Sequence, residues 1–434
     1  MTSGVTSGAS SRRLVHGLVA VGFLVMFFST SVKSVYQVYF ADLATHFGRG
    51  RADFAWSGSV FMLVTGLVSP LVGALSDRHG PLRTVVIGCL TAGAALAGTS
   101  LFDGSLPVFV LGYGLLAAFG LAAMTYVPMG VLVDRLFEQK KSGLAFAVVT
   151  NGTSISFIVL SPFWLWLAPK ASWEMTFLLT GAFLAVPLAG LAWFAAAKAR
   201  AAGLDDAQVP LPPAGAKAEG TDASHAPPPR AWSVLRRDSG FYALAIGFMG
   251  CGATMAFIDV HLVAFWQDHS TPRGLMGVSL SLLGVLELIS GLLTGWLAIR
   301  LPQRALLGAF YLLRSCAVLL LLGASEDLRT LGFAVLFGAT YLGTVVLTSM
   351  FCLARYGAAI KGRAFGYLFL AHQLGGFASV QLGALSHDLW GSYQPYIVGL
   401  AALTALGGLT SWLFLRDPRG EAAPRPALQA HPTA

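Results

Sequence analysis

The chain alternates long apolar runs with short polar interruptions over almost its whole length. The runs cover approximately residues 14–40, 54–75, 84–101, 106–133, 143–166, 173–196, 240–265, 274–298, 305–323, 331–352, 364–385 and 396–415. A helix needs about 20 mainly apolar residues to cross the hydrocarbon core of a bilayer. The pattern therefore predicts an all-α integral membrane protein with twelve transmembrane helices.

The composition supports a membrane environment. Hydrophobic residues make up 56% of the chain and charged residues only 11%, and the mean hydropathy is +0.70. Soluble domains carry about 25% charged residues, so lipid must be the solvent for much of this surface. The first apolar run is too long for a signal peptide and lacks a small-residue cleavage site, which predicts that it is retained as a helix.

The basic residues are distributed unevenly between the predicted loops. Of the 28 Lys and Arg, 21 fall in segments on the side of the N-terminus, five fall in the opposite loops, and Lys33 and Arg314 lie inside runs. This is the positive-inside pattern. It predicts a multi-pass protein of the plasma (inner) membrane with both termini in the cytoplasm, and it explains the net charge of +8 without a nucleic-acid partner.

The longest polar stretch divides the chain into two halves. Its Pro-, Ala- and Gly-rich composition is typical of a disordered linker. The predicted organisation is an N-terminal six-helix bundle over 1–197, a cytoplasmic linker over 198–239, a C-terminal six-helix bundle over 240–416 and a disordered cytoplasmic tail over 417–434.

A short charged loop follows the second run of each half. Residues 73–83 read GALSDRHGPLR, and the stretch from Gly295 reads GWLAIRLPQR, so both contain Gly-x-Leu-x-x-Arg. The first loop resembles the motif between the second and third helices of the major facilitator superfamily. That resemblance implies two pseudo-symmetric six-helix bundles that give alternating access to a site between them.

The resemblance also implies a cytoplasmic gate in the first loop. The gate residues are Gly73, Asp77, Arg78, Gly80 and Arg83. A carboxylate is stabilised at a helix N-terminus by free N–H groups and the helix dipole. We therefore expect Asp77 to cap a helix of the other bundle when the cytoplasmic side is closed.

Other stretches resemble the monocarboxylate transporter and oxalate/formate antiporter branch of this superfamily. DRLFEQKKSGLAFAVVTNG matches its pattern of Phe, a basic pair and Gly-Leu-Ala before the fifth helix, and Lys33 lies at or beside the lysine of its first helix. The branch carries Asp-x-x-x-Arg in its eighth helix, whereas this chain has Glu287 and then Gly291 at those positions. The acid is present and the arginine is absent.

Ionisable residues inside apolar runs are the main candidates for a binding site, because such groups cost free energy in lipid and usually mark transport pathways. Arg314 can receive a carboxylate through two parallel hydrogen bonds, or form a structural ion pair with Glu287. Lys33 can bind an anion, or anchor its helix at the interface by snorkelling. Glu287 can carry a coupled proton, or serve as a static partner of Arg314.

Further candidates are polar groups expected to face the same site. His372 can donate to a carboxylate or join two helices. Asp259 and His261 are candidates for a gate or for proton coupling. The remaining substrate-binding candidates, each with packing as the alternative role, are Tyr36, Tyr126, Asn151 and Tyr341.

The sequence thus predicts a proton-coupled secondary transporter of small organic anions that acts as a monomer in the lipid bilayer, and the resemblance implies monocarboxylates as the substrate class. A proton-driven efflux antiporter for drugs and other amphipathic compounds is the alternative, and a non-transporting receptor is a third possibility. No nucleophile and base pair, ATP-binding motif, metal-ligand spacing or cofactor motif is found. An enzyme is therefore not expected.

Overall fold

A computed structural model describes residues 4–101, 105–137, 139–204 and 231–416. Helix is the regular structure throughout these ranges, and they contain no strand. Eleven helices are long and apolar enough to cross a membrane, and twelve if the bent pair Arg51–Leu67 and Ser69–His79 is one span. The predicted all-α membrane fold is confirmed.

The first half of the chain contains six spans, several of them interrupted. Their segments are Gly4–Ser29 and Ser31–His46 in the first span, Arg51–Leu67 and Ser69–His79 in the second, Pro81–Leu101 in the third, Leu106–Phe109, Val110–Ala117, Ala118–Met124 and Tyr126–Leu136 in the fourth, Gln139–Leu167 in the fifth, and Trp173–Phe183, Leu184–Leu188 and Ala189–Ala201 in the sixth.

The second half begins with a short helix and repeats the arrangement. After Ala231–Leu235, its segments are Ser239–Ala256, Phe257–His261 and Leu262–Asp268 in the seventh span, Arg273–Arg300 in the eighth, Gln303–Leu320 in the ninth, Leu328–Gly332, Phe333–Gly338 and the start of Tyr341–Trp390 in the tenth, the rest of that helix in the eleventh, and Gln394–Phe414 in the twelfth. Most of the predicted linker and the predicted tail lie outside the described residues.

The tenth and eleventh spans share one continuous stretch of helical hydrogen bonding, where the hydropathy pattern predicts an interruption. The hydroxyl of Thr344 lies 3.4 Å from the Cys251 sulfur. His372 packs against the neighbouring Gly252 of the seventh span, since a Cβ on Gly252 would overlap the backbone carbonyl of His372. Because residues 344 and 372 both lie beside 251–252, the chain reverses direction between them.

The halves pack closely along two pairs of spans. A Cβ on Gly58 of the second span would lie 3.2 Å from Val380 of the eleventh, and one on Gly284 of the eighth would lie 3.0 Å from the carbonyl of Ser154 in the fifth. Small residues of this kind let membrane helices approach each other. Both contacts position the two halves around the central polar residues.

The two ends of the molecule differ. At the end that carries Arg51 and Asp268, charged side chains join the halves directly; we call this the closed end. The opposite end carries the 73–83 loop. Lys33 lies between the halves and still keeps 31% of its side chain exposed. At the end with the 73–83 loop, Asp77 and Arg78 are exposed; we call this the open end, and we infer that the exposed part of Lys33 faces it.

Candidate functional site

Four spans are interrupted near the middle of the protein, each beside a candidate residue. The first span breaks at Thr30, the fourth at Thr125 and the tenth at Ala339–Thr340, while the seventh contains a π-helical segment at Phe257–His261. The adjacent candidates are Lys33, Tyr126, Tyr341 and Asp259, respectively. These are the first and fourth spans of each half.

Interruptions of this kind have a physical consequence. A break in the ladder of backbone hydrogen bonds leaves carbonyl and N–H groups without helical partners, which lipid does not tolerate but a polar cavity does. π-Helical turns are frequent at functional sites, and broken helices line the binding sites of many transporters. The four breaks therefore mark the interior between the halves as a candidate binding region.

Lys33 and Asp259 form an ion pair at the centre of this region. The Lys33 Nζ donates to Asp259 Oδ2 at 2.5 Å, and Asp259 is only 4% exposed. Lys33 belongs to the first span and Asp259 to the seventh, so the bond joins the two halves of the chain. Beside it, the Gln37 amide donates to the Ile258 carbonyl at 2.5 Å. This second bond also joins the first and seventh spans.

Aromatic rings form one wall of the crevice beside the ion pair. Tyr36 stacks on Tyr113 with ring centroids 4.2 Å apart, and Tyr113 stacks on Phe61 at 4.8 Å. The Tyr36 hydroxyl is 2.9 Å from the Ser57 hydroxyl, so it already has a polar partner. The three rings line a small cavity together with Lys33 and Asp259.

Glu287 is the second carboxyl of the region. It is 6% exposed, its carboxyl group faces Ser154 across the halves, and its Oε2 has no hydrogen-bond partner. Lys33 and Asp259 are both close enough to influence it electrostatically. The ion pair with Arg314, the alternative role considered for Glu287, is absent among the described residues.

The other polar candidates lie around these groups at different depths. Tyr126 is 54% exposed and faces Thr153, whereas Tyr341 is buried. Asn151 is half-buried on the fifth span. Tyr126 and Tyr341 both lie close enough to Glu287 and Asp259 for electrostatic interaction. The structure therefore brings the two tyrosines and the two carboxyls into one neighbourhood.

Arg314 lies elsewhere, buried within the second half. Its Nη2 donates to the carbonyls of Thr340 at 2.5 Å and Tyr341 at 3.0 Å, and its Nη1 contacts the Cys251 sulfur at 3.0 Å. Its carbon Cζ is 4.9 Å from the centre of the Phe337 ring. The guanidinium thus bonds to the backbone at the junction between the two helices of the tenth span. Within the described residues it is bonded to neutral groups and to no carboxylate.

The two histidines have local partners. His261 Nε2 is 2.8 Å from the Val380 carbonyl and its Nδ1 is 3.2 Å from the Tyr393 hydroxyl. His372 Nδ1 is 3.0 Å from the Gln373 amide oxygen. His261 therefore connects the seventh span to the eleventh and twelfth. Neither histidine is hydrogen-bonded to Lys33 or Glu287.

The 73–83 loop is separated from the other half in this conformation. Asp77 and Arg78 are exposed, and Gly73 and Arg83 are half-buried. Gly80 follows the last residue of the helix and adopts a φ of 91°. The described residues show no cap by the Asp77 side chain on a helix of the second half. This agrees with an opening at this end, and the predicted capped state remains a prediction for the opposite conformation.

A helix cap between the halves is found at the closed end, where the sequence reasoning did not place one. Asp388 accepts hydrogen bonds from the backbone N–H of Arg51 at 3.0 Å and of Ala52 at 2.7 Å, at the start of the second span. The Arg51 guanidinium forms two parallel bonds to Asp268 at 2.6 and 2.7 Å. Charged groups of three spans therefore hold this end together.

A sequence feature could have revealed this cap. Residues 383–388 read GALSHD and residues 73–77 read GALSD, so an aspartate follows the same four residues at the end of a span in each half. The two aspartates lie at opposite ends of the molecule, Asp77 in the 73–83 loop and Asp388 beside Arg51.

Twelve potential spans in two halves, broken helices at the centre and a bridged end opposite an open one define a membrane transporter fold. The family model described as Major Facilitator Superfamily matches residues 22–380. The chain belongs to this superfamily. It is a multi-pass membrane transporter and not an enzyme, which confirms both predictions.

Two relatives within the superfamily align with most of this chain. The chain is 28% identical over 411 residues to "Uncharacterized MFS-type transporter YcxA" of Bacillus subtilis, covering 92% of this chain and 96% of that one. It is 27% identical over 382 residues to monocarboxylate transporter 13 of Rattus norvegicus, covering 86% and 83%.

Solved structures share the fold at low identity. A D-xylose-proton symporter superposes with a TM-score of 0.71 at 11% identity, covering 94% of this chain and all of that one. An inward-facing bacterial homologue of the human lysosomal transporter Spinster gives 0.65 at 14% identity, with 93% and 94% covered.

Proposed function

We propose that this protein is a proton-coupled transporter of small organic anions, with monocarboxylates as the substrate class. The observation that carries the proposal is Lys33, a cation that bonds across the two halves and still keeps 31% of its side chain exposed. The relationship to a protein named as a monocarboxylate transporter supports the same class. An ammonium in a low-dielectric site attracts a carboxylate far more strongly than it does in water.

The neighbouring groups suit a carboxylate with a short side chain. Tyr126 and Tyr341 carry hydroxyls that can donate to a bound anion, and the stack of Tyr36, Tyr113 and Phe61 offers an apolar wall. Glu287 is a candidate for holding the coupled proton, together with Asp259, because both carboxyls lie beside the cation. His261 and His372 are weaker candidates, since each is engaged with local partners.

Transport then follows from movement of the two halves, which we take as 1–197 and 240–416. Opening the closed end requires the Arg51–Asp268 and Asp388 contacts to separate. Closing the open end brings Asp77 toward the other half, where it can cap a helix. We assign Arg314 to holding the broken tenth span together and not to the anion, because its donors are bonded to Thr340, Tyr341 and Cys251.

The test is uptake of labelled lactate and pyruvate into proteoliposomes with and without an inward proton gradient. We expect saturable uptake that the gradient accelerates and that other small carboxylates inhibit. If neither carboxylate is taken up or exchanged, while a cationic or amphipathic compound drives proton movement, the efflux antiporter is the correct function.

A further inference from the structure

We propose that Asp259 is an internal substitute for the substrate carboxylate. It neutralises Lys33 in the empty carrier, is displaced when an anion binds, and takes up the proton that accompanies that anion. This inference rests on the proposed function and assigns the coupling step within it to one residue.

The geometry of the ion pair supports exchange at Lys33. Asp259, itself only 4% exposed, contacts the ammonium through Oδ2 at 2.5 Å, whereas 31% of the Lys33 side chain remains exposed. An ammonium has three donors, so an arriving carboxylate can bind on the exposed side before the Asp259 bond breaks. Asp259 is therefore placed where it competes directly with a substrate anion.

The charges explain why a substitute is needed. An unpaired ammonium is costly to enclose between helices, so an empty carrier with a bare Lys33 would change conformation slowly. Asp259 cancels this charge. When an anion takes its place, Lys33 is neutralised again and the buried carboxylate of Asp259 is left without its cation.

One proton restores the balance. It forms an O–H bond on Asp259, so that the loaded site contains an ammonium, a substrate carboxylate and a neutral acid. The empty and loaded sites then carry the same net charge. One anion and one proton enter together, and no redox or covalent change in the substrate is involved.

The groups that face Asp259 come from several spans. They are Lys33 of the first span, Tyr113 and Tyr126 of the fourth, Glu287 of the eighth and Tyr341 of the tenth. His261, on the same π-helical segment, is directed to Val380 and Tyr393. Glu287 is the one competing acid among them, but its carboxyl faces Ser154 and is not bonded to Lys33.

The decisive variant is Asp259→Asn, measured in proteoliposomes in two modes. Net lactate uptake driven by a proton gradient requires the empty carrier to return, whereas exchange of labelled for unlabelled lactate does not. Asparagine is neutral, like the protonated acid. The loaded site of the variant therefore has the same net charge as the loaded wild-type site, whereas its empty site carries the unpaired positive charge of Lys33. We expect net uptake to fall ~10-fold or more, with exchange within about threefold of wild type and independent of pH.

Glu287→Gln is the matched comparison, since it makes the same acid-to-amide change on the neighbouring carboxyl. We expect it to change both modes by a similar factor. Net uptake by Asp259→Asn at the wild-type rate would overturn the proposal, and so would the loss of net uptake alone in Glu287→Gln. If the wild-type protein shows neither uptake nor exchange of carboxylates, the proposed function itself is wrong.

A second measurement covers the case in which Asp259→Asn does not fold. Calorimetric titration of lactate into wild-type protein and Glu287→Gln, in buffers of different ionisation enthalpy, reports proton uptake on binding. We expect about one proton per anion in both proteins. Anion binding without proton uptake in either protein would overturn the assignment to Asp259.

Discussion

Lys33 and Arg314 are both cations within membrane spans, and their surroundings are opposite. Lys33 bonds to a carboxylate of the other half and keeps nearly a third of its side chain exposed. Arg314 is fully buried and bonds to carbonyl, hydroxyl and thiol groups of its own half. One cation has an ionic partner in the other half and is partly exposed, while the other has its donors occupied by neutral groups of its own half.

This difference is the basis for proposing Lys33 as the binding cation and Arg314 as a structural one. A broken helix in a membrane must satisfy its free carbonyls, and a guanidinium can serve several of them at once. The tenth span uses Arg314 in this way. The first span is broken as well, but Lys33 points from the break toward a residue of the opposite half, so its bond depends on how the halves are arranged.

The largest expected effect is that of Lys33→Gln on transport. Removing the charged donor of a carboxylate in a poorly hydrated site costs about 1.5–3 kcal/mol of binding free energy, which corresponds to roughly 10–100-fold. We expect both net uptake and exchange of lactate to fall by this factor. The matched control is Lys170→Gln at an exposed loop beside Trp166, which should transport lactate like the wild-type protein.

Arg314→Gln should act on stability. It removes the guanidinium donor of the Thr340 carbonyl, whereas the Tyr341 carbonyl keeps a bond from the Thr344 hydroxyl. An unsatisfied buried group costs about 1–3 kcal/mol. We expect a clear decrease in the melting temperature in detergent, while the folded fraction still binds lactate with nearly wild-type affinity. An unchanged melting temperature together with lost binding would reverse the roles assigned to the two cations.

A smaller effect is expected at the cap of the closed end. Asp388→Asn removes one of the two carboxylate oxygens that accept from the second span, a change worth about 1 kcal/mol. Amide hydrogen exchange at Arg51 and Ala52 should accelerate several-fold. Asp77→Asn, at the other aspartate that follows Gly-Ala-Leu-Ser, should leave these amides unchanged; equal acceleration in both variants would argue against a specific cap.

The smallest effect concerns an ion pair outside the membrane. Burial raises the pKa of Asp238, but hydrogen bonds from Arg355, Tyr356 and the Gly240 N–H outweigh it and hold the pKa below its ordinary value. Asp238 therefore stabilises the fold above the pKa of an unfolded aspartate, about 3.9, and this stabilisation is lost as the pH falls through the lower folded value.

The corresponding variant is Asp238→Asn, which keeps a helix-capping side chain but loses the charge. We expect it to destabilise the protein by about 1 kcal/mol at neutral pH, measured by thermal unfolding in detergent. The difference from wild type should shrink in acid. A difference that persists below pH 3 would mean that the charge of Asp238 is not its source.

The fold was largely predictable from the sequence because each span carries its own apolar signal. Interruptions within spans were not predictable in the same way. The break at Thr125 and the π-helical turn around Asp259 lie inside uniformly apolar runs, and tertiary packing determines them. The hydropathy pattern likewise did not predict that the tenth and eleventh spans are joined by continuous helix.

The candidate residues were found more easily than their partners. Lys33, Glu287 and Arg314 stand out as charges within apolar runs, but hydropathy does not say which of them meet. A pair of Glu287 and Arg314 was the alternative considered for both residues, whereas the observed ion pair joins Lys33 to Asp259, 226 positions further along the chain. Arg51 and Asp388 were missed as a contact because each lies at the polar end of a span, where charges are common.

The central claim is that Lys33, and not Arg314, receives the substrate carboxylate. Lactate binding by isothermal titration to Lys33→Gln and Arg314→Gln, each purified in its folded form, tests it most directly. We predict that Lys33→Gln weakens binding by roughly tenfold or more and that Arg314→Gln changes it by less than about twofold. Wild-type affinity in Lys33→Gln, or a selective loss in Arg314→Gln, would contradict the claim.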